Sequence, residues 1–329
     1  MAITFLAPEN ISAFGGKRCL VRVDLNAEAP GYRLRAILPT VKLLRAHGVG
    51  VIIASHRGRF GKEPPTLAPL VPLLSQELGE EVSFMGEESG ISLLENLRFE
   101  AGEEGNDPDF ALKLASRADF YVNEAFPLCH RKNASITHIT GYLPSFGGLR
   151  LEEELTHLGT VMHDLARPFV LVLGGAKISD KILTAEKIVR QADTVLLGST
   201  ASTPEDFITD EEGRRLDIGA LTQERYRNVI ARARTIVWSG PMGLSEREGF
   251  EAGTRAVWEA IIANTASRAI VGGGETAESL KLLAHSSRLP VADYQLPPHV
   301  FLSTGGGAML AYLAGEEMPG LMALGWSNP

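Results

Sequence analysis

Residues 165–181 read LARPFVLVLGGAKISDK, and this stretch predicts the fold of the chain. The Val-rich apolar run at residues 169–173 is typical of a strand that is buried on both faces. Gly174 and Gly175 follow at once, and because glycine has no Cβ they permit a tight turn and a close approach of the backbone to a ligand. The stretch therefore predicts a strand–turn–helix unit of an α/β protein.

Two lysines follow the glycine turn. The pattern becomes helical from Ala176, so Lys177 and Lys181 would share one face of the first turn. Lysine is unfavourable near a helix N-terminus, where the helix dipole favours anions, and an anionic ligand would supply the missing negative charge. The strand, turn and lysines together indicate a phosphate site. An ordinary turn with solvated lysines accounts for the same stretch, so both interpretations stay open at this point.

Composition limits the class of protein. The chain has 329 residues, 44% hydrophobic and 22% charged, which is typical of a protein with two α/β domains. The net charge of −8 argues against a nucleic-acid partner or an anionic membrane, so any anion site must be a local basic cluster. The two cysteines, Cys19 and Cys129, are too few for a disulfide framework and indicate a reducing compartment. Residues 1–12 lack signal-peptide features and no apolar stretch could span a bilayer, so we expect a cytoplasmic protein.

The first half of the chain alternates short apolar runs with amphipathic segments. The predicted strands are residues 18–24, 49–54, 82–85 and 120–123, and the predicted helices are residues 33–46, 67–78 and 108–116. Repeated strand–helix pairs favour a parallel sheet with helices on both faces.

Polar and basic residues recur just after these strands. They are Asp24, Asn26, His56, Arg59 and Arg131, with Arg33 at the start of the next helix. The carboxyl ends of parallel strands share one edge of a sheet, and open α/β sheets bind ligands there. A single arginine at such a place is usually a surface ion-pair residue, but several together favour a recess for a small polyanion.

The second half repeats the pattern. Strands are predicted at residues 192–198, 235–238, 269–271 and 301–302, with a short polar loop at residues 199–215. Two glycine triplets, residues 272–274 and 305–307, each lie between a strand and a helix, so each could present a helix N-terminus to phosphates. Neither triplet matches GxxxxGK[ST] or GxGxxG, so neither a P-loop nor a dinucleotide fold is supported.

Taken together, the motifs resemble the phosphoglycerate kinase family. The matching stretches are VRVDLN, RLRAILPT, SHRGR, LLENLRFEAGEEGNDPDFA, YVNEAF with the following HR, RPFVLVLGGAKISDK, VWSGPMG, GGGETA and STGGGA. They come in the family's order from about residue 17 to about residue 325. The resemblance implies two Rossmann-like three-layer αβα domains with mainly parallel sheets, which face a cleft and are linked by a hinge.

The resemblance also implies a division of the chain. Residues 1–150 would form the substrate domain, residues 151–165 a connecting helix, and residues 166–310 a nucleotide domain, while residues 311–329 would return to the first domain. Hinges are predicted at the connecting helix and at the Ser303–Thr304 turn.

By resemblance, the first domain binds 3-phosphoglycerate. Asp24, Asn26 and His56 would hold its hydroxy-acid part, Arg59, Arg131 and Arg167 its phosphate, and Arg22 and Arg33 its reacting carboxylate. The implied reaction moves the γ-phosphoryl of MgATP to that carboxylate, or the reverse. Arg33 would clamp the carboxylate, Lys177 would follow the charge on the transferring phosphoryl, and the helix N-termini after Gly274 and Gly307 would add donors.

The second domain would bind the nucleotide with Mg²⁺. The implied residues are Gly174, Gly175, Lys177, Lys181, Gly198, Leu216, Ser239, Pro241, Glu246, Gly272, Gly273, Gly274, Glu275 and Thr276. Glu275 is the implied Mg²⁺ ligand.

This second half departs from the family's pattern. After Gly198 the chain reaches Leu216 through a short polar loop, so much of the adenine-side subdomain is missing. Ser239 stands where the family has Asn, and Glu275 where it has Asp, so the contact of Glu275 with Mg²⁺ would be shifted or water-mediated.

Three functions compete on this basis. They are an active phosphoglycerate kinase, a kinase of the same chemistry acting on another small anionic carboxylate, and a non-catalytic paralogue that binds the phospho-acid. Family resemblance predicts a monomer, whereas apolar surface exposed by the lost subdomain would favour a homodimer.

Overall fold

The computed structural model describes residues 2–26, 31–58, 63, 65–86, 90–176, 178–201, 204–286 and 296–327. The chain forms two compact units. Unit 1 consists of Met1–Leu155 and Glu317–Pro329, and unit 2 consists of Thr156–Glu316. The chain therefore leaves unit 1 once and returns to it near its C-terminus.

Unit 1 is built on a parallel sheet. Its strands are β1 (Arg18–Arg22), β2 (Gly50–Ala54), β3 (Val82–Phe84), β4 (Ile91–Leu93), β5 (Phe120–Asn123) and β6 (Ser145–Gly147), in the order β3-β4-β2-β1-β5-β6. The helices of this part of the chain are α1 (Pro8–Ile11), α2 (Gly31–Ala46), α3 (Val71–Leu78), α4 (Ala101–Glu104), α5 (Pro108–Ala115), α6 (Leu149–His163) and α13 (Pro319–Ala323). The boundary between the units falls inside α6.

Both faces of the unit 1 sheet are covered. In β1, Cys19 and Val21 are buried in one apolar cluster, while Leu20 between them is buried in another. In β5, Phe120 and Tyr121 divide between the same two clusters. Because successive side chains of a strand point to opposite faces, this alternation requires a packed layer on each face. Unit 1 therefore has three layers.

Unit 2 contains a second parallel sheet. Its strands are β7 (Phe169–Leu173), β8 (Thr194–Leu197), β11 (Thr235–Ser239), β12 (Arg268–Gly272) and β13 (Val300–Ser303), in the order β13-β12-β11-β7-β8. An antiparallel hairpin pairs β9 (Phe207–Thr209) with β10 (Arg215–Ile218). The helices are α7 (Ile178–Thr184), α8 (Glu186–Gln191), α9 (Ala220–Ile230), α10 (Ala252–Ala263), α11 (Gly274–Ser286) and α12 (Gly307–Leu313).

The predicted fold class is confirmed, and the differences concern short elements. β4 and β6 have three residues each, too few to show a period, and were not predicted. Residues 199–215, interpreted as a polar loop, contain β9 and the start of β10, and Gly213 turns between them with φ +75°. Among the described helices, none is both long and apolar enough to cross a membrane.

Candidate active site

The loops after β1 and β2 are tied together at the carboxyl edge of the unit 1 sheet. Asp24 follows β1, and one of its carboxylate oxygens accepts the backbone N–H of Asn26 at 2.9 Å. The side-chain oxygen of Asn26 in turn accepts the backbone N–H of Gly58, which follows β2, at 3.0 Å. Both residues therefore lie where the sequence predicts, and their side chains set the shape of this edge.

Arg33 reaches the same edge from the first turns of α2. Its Nη1 donates to the Asp24 carboxylate and to the Asn26 carbonyl, both at 2.8 Å. The Arg33 side chain is 14% exposed and Asp24 is 6% exposed, so this ion pair is largely removed from water. Its geometry fixes the guanidinium at the strand ends, where an anionic ligand would meet it.

Arg22, predicted to face the reacting carboxylate, is buried in unit 1. Its side chain is 1% exposed, its Nε donates to the Ser135 hydroxyl at 2.7 Å, and its Nη2 lies 3.3 Å from a Glu103 carboxylate oxygen. The same Nη2 donates to Nδ1 of His56 at 3.4 Å. Arg22 is therefore part of a buried network that orients His56, because a charge so deep in the unit is stabilised only by partners of this kind.

His56 is held as a neutral ring with a defined tautomer. Burial, and then the positive charges of Arg22, Arg98, Arg33 and Arg131, keep the pKa of His56 well below its usual range. Because an arginine can only donate, Nδ1 of His56 is the acceptor and the proton sits on Nε2. Nε2 is 4.0 Å from the Asp24 carboxylate, so the ring presents an N–H at the same edge.

Arg98 is a member of this cluster that the sequence interpretation did not assign. It lies in the turn Leu97–Phe99 after β4, donates from Nη1 to the Gly58 carbonyl, and pairs from Nε with Glu104 at 2.9 Å. Burial lowers the pKa of Arg98; Glu104 raises it, and the charges of Arg131 and Arg22 lower it further. The positive charges of these guanidinium groups repel one another, and a bound phosphate would offset that repulsion.

The signal for Arg98 was present in the stretch LLENLRF. This signal becomes usable only when β4 is recognised as a strand. Arg98 then follows the carboxyl end of a strand, as the predicted site residues of unit 1 do. Arg131 is exposed and lies close enough to Arg98 and His56 to lower both pKa values, so the prediction that it belongs to the cluster agrees with its position. Arg59 lies outside the described residues.

Arg167 is placed differently from the prediction. It belongs to unit 2 and precedes β7, so it lies at the amino end of that strand, opposite the glycine turn. It forms an ion pair with Asp193 and donates to the Gln191 carbonyl at 3.1 Å. Asp193 also accepts the backbone N–H of Phe169 at 2.7 Å. Arg167 therefore stabilises the start of β7 from within unit 2.

In unit 2 the corresponding edge is built from backbone. The N–H of Gly174 donates to the Ser239 carbonyl at 2.9 Å, and the N–H of Gly175 donates to the Pro241 carbonyl at 2.7 Å. A Cβ on Gly174 would lie 2.0 Å from the Pro241 oxygen. No residue larger than glycine fits there, so the turns after β7 and β11 touch directly. Ser239 itself is 1% exposed and lies under this edge.

Two further glycine turns meet beside it. The hydroxyl of Thr276 accepts the N–H of Gly240 at 2.8 Å and donates to the Gly272 carbonyl at 2.9 Å, which links the turn after β11 to α11. A Cβ on Gly306 would lie 3.0 Å from Cα of Gly273, whose φ is +106°. α11 begins at Gly274 and α12 at Gly307, so the predicted helix N-termini lie side by side.

A cavity of about 170 Å³ opens between these turns and the hairpin. The residues that line it are Gly175, Ala176, Ser199, Thr200, Arg215, Leu216, Pro241, Met242, Gly243, Leu244, Glu246 and Glu275. Five of them, Gly175, Leu216, Pro241, Glu246 and Glu275, were predicted to bind nucleotide. Gly198 lies just beneath, where a Cβ would be 3.0 Å from the Met242 carbonyl.

The charged ends of Lys181 and Glu275 both approach the Gly175 turn, where an added Cβ would lie 3.1 Å from Lys181 Nζ and 3.2 Å from a Glu275 carboxylate oxygen. Lys181 Nζ donates to the Gly174 carbonyl at 2.7 Å. Burial lowers the pKa of Lys181, and the charge of Glu275 raises it. Lys177 lies outside the described residues. No three His, Cys, Asp or Glu side chains among the described residues are grouped to hold a metal ion. Two carboxylates, Glu246 and Glu275, line the cavity at this turn.

Comparison with known proteins identifies the family. The sequence profile described as "Phosphoglycerate kinase" matches residues 9–204 and 199–316. A phosphoglycerate kinase of Dictyoglomus turgidum is 33% identical over 388 aligned positions, which cover 94% of this chain and 96% of the relative. One of Moorella thermoacetica is 34% identical with the same coverage.

Solved structures agree. The crystal structure of phosphoglycerate kinase from Pyrococcus horikoshii superposes with a TM-score of 0.84 at 28% identity, covering 98% of both chains. The structure of phosphoglycerate kinase from Coxiella burnetii gives a TM-score of 0.73 at 26% identity, covering 98% of this chain and 99% of the other.

The comparisons also show that this chain is shorter than its relatives. The alignment with the Dictyoglomus turgidum protein runs over 388 positions although this chain has 329 residues, so tens of positions of the relative have no counterpart here. The family profile matches in two segments that overlap at residues 199–204, directly after β8. This break in the match coincides with the short loop at which the sequence predicts the shortening. Because the family profile matches most of the chain and relatives of 33–34% identity align with 94% of it, the chain belongs to the phosphoglycerate kinase family, whose members are phosphotransferases with a carboxyl group as acceptor.

Proposed function

We propose that the protein transfers the γ-phosphoryl group of MgATP to the carboxylate of 3-phosphoglycerate, reversibly, giving 1,3-bisphosphoglycerate and ADP. The observation that carries the proposal is the arginine cluster of unit 1, in which Arg33 is fixed by Asp24 beside a neutral His56. A small acid with a carboxylate at one end and a phosphate at the other fits this edge, with Arg33 for the carboxylate and Arg98 and Arg131 for the phosphate.

The acceptor half needs no general base. A carboxylate is already a nucleophile, so one of its oxygens forms the bond to the γ-phosphorus while the bond to the bridging oxygen of ADP breaks. In this assignment Arg33 orients the carboxylate, and Arg98 and Arg131 hold the distal phosphate. His56 donates from Nε2 to the hydroxy-acid part and stays neutral, which suits a residue that positions the substrate and takes no proton.

The donor half is assigned to the glycine edge of unit 2. Backbone N–H groups at the starts of α11 and α12, together with Lys181, stabilise charge on the phosphates. We assign to Lys177, from the sequence, contact with the transferring phosphoryl. Mg²⁺ bound with the nucleotide would neutralise phosphate charge, and Glu275 would hold it directly or through water, because magnesium keeps much of its water shell.

The test is turnover with 3-phosphoglycerate, Mg²⁺ and ATP, with the acyl phosphate trapped by hydroxylamine. Hydroxamate that depends on all three reagents is the expected result. Absence of product in folded protein, together with calorimetric binding of 3-phosphoglycerate, would indicate the non-catalytic paralogue. Absence of both would indicate a kinase for a different small carboxylate.

The remaining assignments rest on the sequence and the family. Domain closure about residues 151–165 and the Ser303–Thr304 turn stays a prediction. We propose a cytoplasmic location, supported by the free cysteines Cys19 and Cys129. Family resemblance predicts a monomer and the shortened lobe a homodimer, and sedimentation equilibrium distinguishes them.

A further inference from the structure

Arg215 occupies an unusual position on the hairpin of unit 2. It is exposed at the start of β10, and its guanidinium carbon lies 4.2 Å from the centre of the Phe207 ring on β9. This is the separation of a stacked cation–π pair. The ring therefore supports the guanidinium plane from one side.

Arg215 also lines the cavity beside the glycine turns, whereas Phe207 does not. A guanidinium with one face covered by an aromatic ring has its other face available to a ligand bound in that cavity. Leu216 and Leu244 line the same end, and the N–H of Leu244 donates to the Leu216 carbonyl at 2.7 Å. The cavity thus has an apolar, cationic end at the hairpin and a backbone end at Gly175.

The charge of Arg215 is not matched by an acid within the described residues. Its sequence neighbour Arg214 pairs with Asp210 at 2.6 Å and with Glu212 at 3.1 Å, but no carboxylate within 4.0 Å of Arg215 is found in that part of the chain. An arginine that is planar, supported on one face and without an acidic partner is suited to stack on a second π-system.

We propose that Arg215 is a specificity-determining residue, whose guanidinium stacks on the purine base of the nucleotide. The inference rests on the proposed function and names the group that replaces part of the lost adenine-side wall. A cavity of about 170 Å³ accommodates a base but not a whole nucleotide, whose phosphates would extend toward Gly175. A purine offers a larger π face than a pyrimidine, so the stack favours ATP and GTP over CTP and UTP.

The experiment compares Arg215→Ala and Arg215→Lys with Arg214→Ala as the matched control. For Arg215→Ala we expect the KM for ATP and the Kd for ADP to rise about 3- to 5-fold, the factor of one cation–π contact at an exposed site. The kcat and the KM for 3-phosphoglycerate should stay within twofold, and the preference for ATP over CTP should fall by a similar factor. Arg215→Lys keeps the charge but not the plane, so it should not restore the preference. Arg214→Ala should behave as the unmodified protein.

Three results would overturn the inference. Unchanged binding in Arg215→Ala would remove the contact, and tighter binding would mean that the side chain fills the cavity against the nucleotide. An equal loss for ATP and CTP that Arg215→Lys restores would mean that the charge acts on phosphates. Thermal unfolding of each variant verifies that it is folded.

Measuring ADP binding tests this inference independently of the proposed function. Calorimetric titration of ADP requires no turnover, so a loss in Arg215→Ala supports the stack even if the unmodified protein forms no acyl phosphate. Normal turnover of the unmodified protein with no effect of Arg215→Ala leaves the proposed function intact and removes the inference.

Discussion

Each unit has a candidate site at the carboxyl edge of its parallel sheet, but the two sites are built from different groups. In unit 1 the edge is built from side chains, and Arg33, Asp24 and Arg22 each have named charged or polar partners. In unit 2 it is built from backbone, because Gly174 and Gly240 bring their turns into direct contact. A side-chain site depends on every member of its network, whereas a backbone site depends on the closeness of a few turns.

The difference bears on where the chain can be shortened. The shortening that the sequence predicts between β8 and the hairpin lies beside the glycine turns, yet the hydrogen bonds that hold those turns together are present. A comparable deletion in unit 1 would remove members of a connected charge network and leave their partners buried and unpaired, which costs far more than the contact itself. The shortened unit is therefore the one whose site is made of backbone.

Breaking the side-chain half at Arg33 should give the largest effect. In Arg33→Met the Asp24 carboxylate loses its ion pair and the proposed clamp on the acceptor is gone, so kcat should fall about 10²- to 10³-fold. Steady-state turnover measures it. Arg35→Met is the control, since Arg35 pairs with Glu77 on the surface at 3.3 Å and its loss should leave kcat within twofold. Similar losses in both variants would mean that helix α2, not the clamp, is responsible.

In unit 2, the addition of a single methyl group at Gly174 should disrupt the backbone-built edge. In Gly174→Ala the Cβ would meet the Pro241 carbonyl at 2.0 Å, so the turns after β7 and β11 must separate. We expect a loss of about 3 kcal/mol in unfolding free energy and a strongly raised KM for ATP, with 3-phosphoglycerate binding retained. Urea unfolding and calorimetry measure these.

Gly159→Ala is the matched control. Gly159 lies within α6, and the nearest atom to an added Cβ, in the His163 ring, is 4.0 Å away. Alanine should stabilise the helix there by about 0.5–1 kcal/mol. A Gly174→Ala protein as stable as the unmodified one would contradict the view that this edge depends on backbone contact.

Two arginine variants test which residues bind the acceptor: Arg98 belongs to the unit 1 cluster, and Arg167 does not. Arg98→Ala should raise the KM for 3-phosphoglycerate about 10- to 30-fold without changing that for ATP, because a charged hydrogen bond to phosphate is worth about 1.5–3 kcal/mol less some solvent screening. Arg167→Ala should leave both values unchanged, since its partner is Asp193. The opposite pattern would restore the assignment made from the sequence.

How far the sequence predicts this molecule depends on element length. The five-residue apolar run of β7 and the four residues of β5 were predicted at their observed bounds, because a buried strand of that length is a clear signal. The three residues of β4 carry no period, and Arg98 was missed with them. Arg22 and Arg167 were assigned by resemblance to the family's motifs, and only the structure gives their burial and partners, Glu103 and Asp193.

The smallest expected effect is on the pH dependence of the unfolding free energy, to which one buried carboxyl group in each unit contributes. Glu124 accepts the backbone N–H groups of Arg150 and Leu151 at the start of α6, at 3.1 and 2.9 Å, and burial raises its pKa to about 7. Asp217 accepts the N–H of Gly253 at the start of α10 at 2.8 Å, and burial raises its pKa to about 6.

A carboxyl group whose pKa is higher in the folded than in the unfolded state contributes stability that is present at low pH and is lost as pH rises through the folded pKa. Between pH 6 and pH 8 Glu124 should therefore remove about 1 kcal/mol of unfolding free energy and Asp217 only a few tenths, because most of the loss from Asp217 is complete by pH 6. The lowered pKa values of His56 and His130 raise the unfolding free energy over the same pH interval, so each carboxyl group is isolated by comparing its variant with the unmodified protein in urea unfolding at both pH values. On going from pH 6 to pH 8, the unfolding free energy of Glu124→Gln should change by about 1 kcal/mol more favourably than that of the unmodified protein, and that of Asp217→Asn by only a few tenths. An identical pH dependence in Glu124→Gln and the unmodified protein would mean that Glu124 does not titrate in this interval, and that the side-chain-built unit is no more sensitive to pH than its backbone-built counterpart.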